Sequence, residues 1–303
     1  MFKIKKICSY PKIFYIYLSV FILVPSLIYA ETTKDNMKNF DPLKFDSLEK
    51  RLVNDGFDKK NIANIYNIKS VCFDLKSVAL FFMHNEANLN YNAFSAKKYI
   101  KQAEQYKKEH LNALNAAKTK FGVDPNIITS IILVETKFGT NTGKSSVINT
   151  LSTMASLSDK KAQNLLWKSI PVDKRLTLEK FQKKSIKKSG WAYKELKAFI
   201  KYTSREKIRP DIIFGSYAGA IGIAQFMPTS IISLAIDGNN DGKVNLFNHA
   251  DAIFSIANYL NYYGWNRKID KKKAFKVIYR YNHSKYYVNT ILKIANSLGT
   301  RTN

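Results

Sequence analysis

One helical stretch leaves the chain little freedom: PNIITSIILVETKFG, residues 125–139. Asp124 is suited to cap it, and Pro125 fits the first helical position. At helical spacing Ile127, Ile128, Ile131, Ile132 and Phe138 share a face with Glu135. A stripe this apolar has to be buried, so neighbouring segments must wrap around it. Glu135 then stands out. Desolvation disfavours its charged form and favours the neutral acid near pH 7. Such an acid can protonate a leaving oxygen, as glycoside cleavage requires. The competing reading is a helix-end ion pair with Lys137 or another lysine, since perturbed acids mark function only statistically.

The other periodic segments are also helical. Leu48, Leu52 and Val53 form one stripe; Val78, Ala79, Phe81 and Phe82 form another. Gly56 reads as a helix end. Trp191–Tyr202 and the stretches 250–263 and 273–298 predict three further helices. Residues 155–190, rich in Lys and Ser, are weakly patterned and read as an insertion or a mobile segment. Alternating strand patterns are scarce, so the expected class is mainly α. Asp124-Pro125 sets a boundary: an N-terminal helical region over 31–120 and a second domain over 121–303.

Residues 1–30 precede both. Lys3, Lys5, Lys6 and Lys12 come before the apolar run IFYIYLSVFILV, Pro25 breaks it, and Ala30 supplies a small residue for cleavage. This reads as a secretory signal peptide, with an uncleaved anchor as the alternative. Cleavage changes the charge. The whole chain carries 49 Lys+Arg against 23 Asp+Glu; losing four lysines and no acid leaves +22. It also leaves Cys72 as a lone cysteine, expected to be a small buried apolar residue. So basic a chain calls for a polyanionic partner. Export demotes nucleic acid and favours the cell wall or an anionic lipid surface.

Two other segments carry chemistry. GSYAGAIGIAQFMP, residues 215–228, brings small residues together with Ser216 and Gln225, which can bond a hydroxyl-rich ligand; tight helix packing is the alternative. DGNNDGKVN, residues 237–245, fits an EF-hand-type calcium loop, with Asp237, Asn239 and Asp241 pointing oxygens inward and Lys243 giving its carbonyl. Its twelfth position is Asn248 rather than Glu, and Asp251 is the nearest replacement carboxylate. A turn held by Asx side chains is the alternative. Near the C-terminus, Tyr279, Tyr281, Asn282, Tyr286 and Tyr287 together suit sugar faces, although any single tyrosine reads first as an amphipathic surface residue.

Taken together, ILVETKFG (132–139), NTLSTMA (149–155), GSYAGAIGIAQFMP, the loop 237–251 and Tyr281-Asn282 with Tyr287 resemble the lytic murein transglycosylases of the membrane-bound transglycosylase B type. The resemblance implies an α-rich, lysozyme-like catalytic core with an EF-hand-like loop. It implies cleavage of the MurNAc-β-1,4-GlcNAc bond of peptidoglycan to a 1,6-anhydromuramoyl end. Glu135 would be the single catalytic acid, then base. Ser216, Gln225, Tyr259, Tyr281, Asn282 and Tyr287 would hold the glycan or orient the acid. Calcium would sit at Asp237, Asn239, Asp241, Lys243 and Asp251, with no organic cofactor. In place of the family's arginine pair near the peptide stem the chain offers Lys187-Lys188 or Lys160-Lys161. The expected compartment is the periplasm, the partner peptidoglycan strands. A water-using muramidase and a non-catalytic wall-binding protein on the same fold are the alternatives; ordinary glycoside hydrolysis uses two carboxylates.

Overall fold

A computed structural model describes residues 44–84 and 91–299. The leader 1–30 and most of the polar lead-in lie outside the described residues. The described chain forms two compact units, divided after Phe73.

The first unit holds α1 (Asp46–Asn54) and α2 (Lys59–Tyr66). Leu48 and Leu52 are buried as the stripe predicts, and Gly56 ends the first helix at φ +91°. Asp58 caps α2 by accepting from Asn61 N–H at 2.7 Å. Phe45 stacks on Phe73 with ring centroids 4.4 Å apart. Cys72 departs from expectation in burial: it is half-buried rather than enclosed in the core.

The second unit runs α3 (Leu75–Met83), α4 (Lys97–Glu109), α5 (Leu111–Phe121), α6 (Pro125–Thr136), β1 (Ser145–Ser146), α7 (Val147–Ala155), α8 (Lys160–Ser169), α9 (Leu178–Arg205), β2 (Phe214–Gly215), α10 (Pro228–Leu234), α11 (His249–Tyr262), α12 (Lys271–Tyr281) and α13 (Lys285–Gly299). It is mainly α, as the periodicity predicts. Helix α6 is its central rib. Asp124 caps it, accepting from Asn126 N–H at 2.8 Å, and Pro125 opens it. Ile127, Ile128, Ile131, Ile132 and Leu133 are all buried, each worth about 1.5–3 kcal/mol. Helices α4, α5, α11 and α13 pack around it.

Three local readings need correction. First, α6 stops at Thr136. Lys137, Phe138 and Gly139 turn left-handed at φ 48°, 62° and 82°, so Phe138 leaves the face of Glu135 and stacks on Tyr106, 4.7 Å away. Second, 155–190 is no loose insertion: it contains α8 and the first half of α9, a helix of 28 residues. That half buries Phe181, Ser185 and Ser189, four apart, and turns Lys180, Lys183 and Lys187 outward. Ser189 Oγ donates to the Ala155 carbonyl at 2.6 Å. Small serines let α9 approach the end of α7, but they carry no hydropathy signal. Third, 273–298 lies in two helices, broken at Asn282–Ser284.

The strands β1 and β2 pair antiparallel, Ser145 opposite Gly215. The small-residue segment after β2 is not helix but a folded-back turn, with bridges from Ile221 to Gly215 and Phe226. Close backbone approach dictates its composition. A Cβ at Gly143 (φ +101°) would lie 2.0 Å from the Gly215 oxygen, and one at Gly222 (φ +71°) would lie 2.5 Å from the Leu246 oxygen. Only glycine fits either position.

Candidate active site at the end of helix α6

Glu135 occupies the last turn of α6, half-buried. The Tyr287 hydroxyl, from the first turn of α13, donates to Glu135 Oε1 at 2.7 Å. The break between α12 and α13 brings Tyr281 alongside: its ring lies parallel to that of Tyr287, 6.4 Å away at 7°. The Tyr281 hydroxyl donates to the Ala224 carbonyl at 2.5 Å. Tyr259 continues the wall, edge-on to Tyr281 at 4.9 Å, and donates to the Arg280 carbonyl at 2.7 Å. Phe226 fills the space beside both rings. Burial, reinforced by the Glu135 charge, pushes the Tyr281 and Tyr287 hydroxyls well above the usual phenol range. They therefore stay protonated and act only as donors and acceptors of hydrogen bonds. A donor aimed at a carboxylate makes one of the stronger hydrogen bonds available to a protein.

The turn 216–226 is tied to the same helix end. Buried Thr136 donates from Oγ1 to the Ile223 carbonyl at 3.1 Å and accepts from Gly139 N–H at 3.0 Å. Gln225, left-handed at φ 48°, donates from Nε2 to the carbonyls of Thr142 and Gly222 at 3.1 and 2.9 Å. Ser216 Oγ accepts from Ala218 and Ala220 N–H at 3.2 and 3.0 Å. Both side chains thus hold the turn in shape. Asn282 caps the end of α12 between the two tyrosines. The site also contains residues the sequence reading passed over. Tyr91 meets Tyr287 edge-on at 6.0 Å and 87°; it sits in a short 3-10 turn without periodicity. Thr136 looks in sequence like any helix-end residue.

The loop after α10 has an EF-hand-like interior. Asp237 accepts from the N–H groups of Asp241 and Gly242 at 3.2 and 2.8 Å. Asn239 Nδ2 donates to Asp241 Oδ2 at 2.9 Å, so the third and fifth positions converge, and Gly242 turns the chain at φ +84°. Lys243 is exposed, and its N–H donates to Asp241 Oδ1 at 2.9 Å. Asp251 is fully buried. Its oxygens accept from Gly238, Asn239 and Asn245 N–H at 2.9, 3.4 and 2.7 Å, which clamps the loop from beneath. Burial pushes its carboxyl up, while these three donors favour the charge. Among the described residues no three His, Cys, Asp or Glu side chains stand together as a metal group. A cation here would rest on mixed carboxylate, amide and carbonyl oxygens, as calcium accepts. Of the lysine pairs, Lys188 lies over the rings of Phe81 and Trp191 at 4.8 and 5.2 Å, whereas Lys160 opens α8.

The family model described as "Transglycosylase SLT domain" matches residues 42–274. The membrane-bound lytic murein transglycosylase B of Escherichia coli (strain K12) is 34% identical over 157 residues, covering 52% of this chain and 36% of that protein. The match therefore spans about a third of that relative's length. Three solved structures share the fold. Escherichia coli lytic transglycosylase Slt35 in complex with calcium is 20% identical, with a TM-score of 0.67, over 86% of this chain and 94% of that one. SltB1 of Pseudomonas aeruginosa is 23% identical, with a TM-score of 0.67, over 84% and 98%. SltB3 of Pseudomonas aeruginosa in complex with NAG-NAM-pentapeptide is 18% identical, with a TM-score of 0.66, over 84% and 80%. At such identities the likeness shows the lysozyme-like fold expected from the sequence. Matched along well over half of its length, the chain belongs to the transglycosylase SLT domain family.

Proposed function

We propose that the chain is a peptidoglycan lytic transglycosylase cleaving the MurNAc-β-1,4-GlcNAc bond, with Glu135 as its single acid and base. The carrying observation is the 2.7 Å hydrogen bond from Tyr287 to Glu135 Oε1 in a chain of this family. With Oε1 accepting from tyrosine, the carboxyl proton belongs on Oε2. That proton passes to the glycosidic oxygen as the bond to muramoyl C1 breaks. The muramoyl C6 hydroxyl closes on C1 and returns its proton to Glu135, leaving a 1,6-anhydro end and consuming no water. The nucleophile is intramolecular, so positioning replaces a second carboxylate. Tyr259, Tyr281, Asn282 and Tyr287, with Ser216 and Gln225 in the turn, form the surface that holds the glycan in this reading. Digestion of purified sacculi with mass spectrometry of the products tests it. Anhydromuropeptides are expected, and none from Glu135→Gln. Reducing ends would replace this reading with the muramidase, and no soluble product with a wall-binding protein.

The same proposal extends to the metal and the compartment. Asp237, Asn239, Asp241 and the Lys243 carbonyl would hold calcium in this loop, with the buried Asp251 bracing the loop from beneath. Convergence of the third and fifth side chains supports this. Calcium at a hundred times its dissociation constant adds about 2.7 kcal/mol of stability, a rise of several degrees in Tm. Asp237→Ala removes the rise; an unchanged melting curve in calcium refutes a stabilising site. The leader directs the chain to the periplasm with cleavage after Ala30, leaving a helical region over 31–120 ahead of the catalytic domain 121–303. N-terminal sequencing of the exported protein checks it. No helix among the described residues is long and apolar enough to cross a membrane.

A further inference from the structure

The connection between α8 and α9 has a character found nowhere in the catalytic site. It presents Val172, Leu176 and Leu178 to solvent at 76%, 41% and 50% exposure. These side chains are not out because the loop is slack. Arg175 donates from Nε to the Ile170 carbonyl at 2.8 Å and from NH2 to the Lys168 carbonyl at 3.2 Å. Its guanidinium lies over the Trp167 ring at 5.4 Å, and Trp167 in turn packs on Phe181 at 4.9 Å. A 3-10 turn over Val172–Lys174 and the Thr177 cap of α9 complete the scaffold. The loop is therefore built, and it holds three aliphatic side chains in solvent. Leaving a Val or Leu in water forgoes the gain of burial, and clustered exposed apolar residues mark interaction sites.

The surrounding charge says what covers them. From Lys168 to Lys188 there are eight Lys or Arg and two acids, Asp173 and Glu179. Lys168, Lys174, Lys180, Lys183 and Lys187 are all exposed, along the loop and the outer face of α9. Aliphatic tips rimmed by lysines match a bilayer carrying anionic headgroups: the tips enter the acyl boundary while the lysines stay at the phosphates. A wall polymer alone would use the lysines and leave the aliphatics without purpose. We propose that the α8–α9 loop docks this protein on an anionic phospholipid surface, with Val172, Leu176 and Leu178 inserting and the flanking lysines binding headgroups. This surface shares no residue with the Glu135 site and does not rest on the transglycosylase reading.

The test is sedimentation of the full chain with vesicles of phosphatidylcholine alone or with phosphatidylglycerol added. Binding to the anionic vesicles is expected to exceed binding to neutral ones, and to fall about tenfold or more in Val172→Ser/Leu176→Ser/Leu178→Ser and in Lys174→Glu/Lys180→Glu/Lys183→Glu. Because the apolar leader could itself bind vesicles, a Leu176→Trp variant reports on the loop. Its emission is expected to shift to the blue on anionic vesicles and to be quenched by brominated acyl chains. All these positions are exposed, so melting curves should match the parent. No quenching at position 176, or equal binding by parent and both triple variants, overturns the proposal. Loss of binding only in the lysine variant, with matching loss on lipid-free sacculi, assigns the patch to the wall instead and also overturns it. Release of soluble muropeptides should be unchanged in both triple variants, which separates this outcome from any failure at Glu135.

Discussion

Helix α6 and the first half of α9 both lie against buried surface, yet with opposite chemistry. In α6 the buried face is isoleucine and leucine, and the one carboxyl on it is visible at once against that background. In α9 the corresponding face is Phe181, Ser185 and Ser189, fully or almost fully buried, with lysines on the other side. Hydropathy periodicity registers apolar residues, so it found the first helix and mistook the second for a loose connection. Burial in α9 depends on size rather than on polarity: a serine admits close helix approach where a larger side chain would push the helices apart. An amphipathic pattern thus announces an amphipathic partner surface, whereas a small-residue face becomes legible only when the partner is present.

The contrast can be broken in several ways. Glu135→Gln has the largest expected effect: release of anhydromuropeptides should fall by about a thousandfold or more, with the melting curve kept, since loss of a positioned acid costs roughly 10²–10⁴ in rate. If the variant retains activity, α6 carries the fold but not the chemistry. Tyr287→Phe comes next. It removes a hydrogen bond to the carboxylate that forms as Glu135 gives up its proton, worth about 1.5–3 kcal/mol, so turnover should drop roughly ten- to a hundredfold while binding of an inert glycan fragment changes little. Equal losses in binding and turnover would make Tyr287 a packing residue. On the α9 side, Ser189→Leu should destabilise by about 1–3 kcal/mol in urea unfolding through overpacking. A stabilised variant would show that the α7–α9 contact has room and that the serine face is accidental.

The smallest effect concerns the ground beneath the end of α6. Phe138 stacks on Tyr106, the Tyr106 hydroxyl lies 3.0 Å from His249 Nδ1, and the His249 ring stacks on His110 at 4.4 Å. Burial lowers both imidazoles below their ordinary value of 6.5; the His110 charge lowers His249 further, and Glu109 opposes the shift for both. With lowered folded values, the unfolded chain binds more protons below about pH 6.5, so the stability these groups contribute is present above that pH and lost as pH falls through it. Melting temperature should therefore decline from pH 7.5 to 5.5, and less steeply in His110→Gln. Parallel declines in parent and variant would remove the pair from the account.

Much of the candidate site was legible for a definite reason. Glu135, Tyr281 and Tyr287 are chemically conspicuous residues on periodic segments, and Asp237, Asn239, Asp241 and Gly242 follow a local loop pattern that needs no distant partner. What was not legible depends on distant neighbours. Tyr91 matters only because its ring meets Tyr287. Thr136 matters because the Ile223 carbonyl comes within reach. Ser216 and Gln225 read as groups able to bond a ligand; that they also bond the backbone of their own turn depends on how the segment folds back. The break at Asn282–Ser284 was read as continuous helix because the apolar spacing runs on through it.

Sequence alone determined that this chain is helical, that α6 must be its buried rib, and that one carboxyl would share that rib's apolar face. Those follow from side-chain period and transfer free energy, which are local properties of the chain. Tertiary structure decided which hydroxyl reaches that carboxyl, which serines form a core face, and which leucines remain in water. Each of these is a relation between residues far apart in sequence, fixed only when the backbones close to within van der Waals contact.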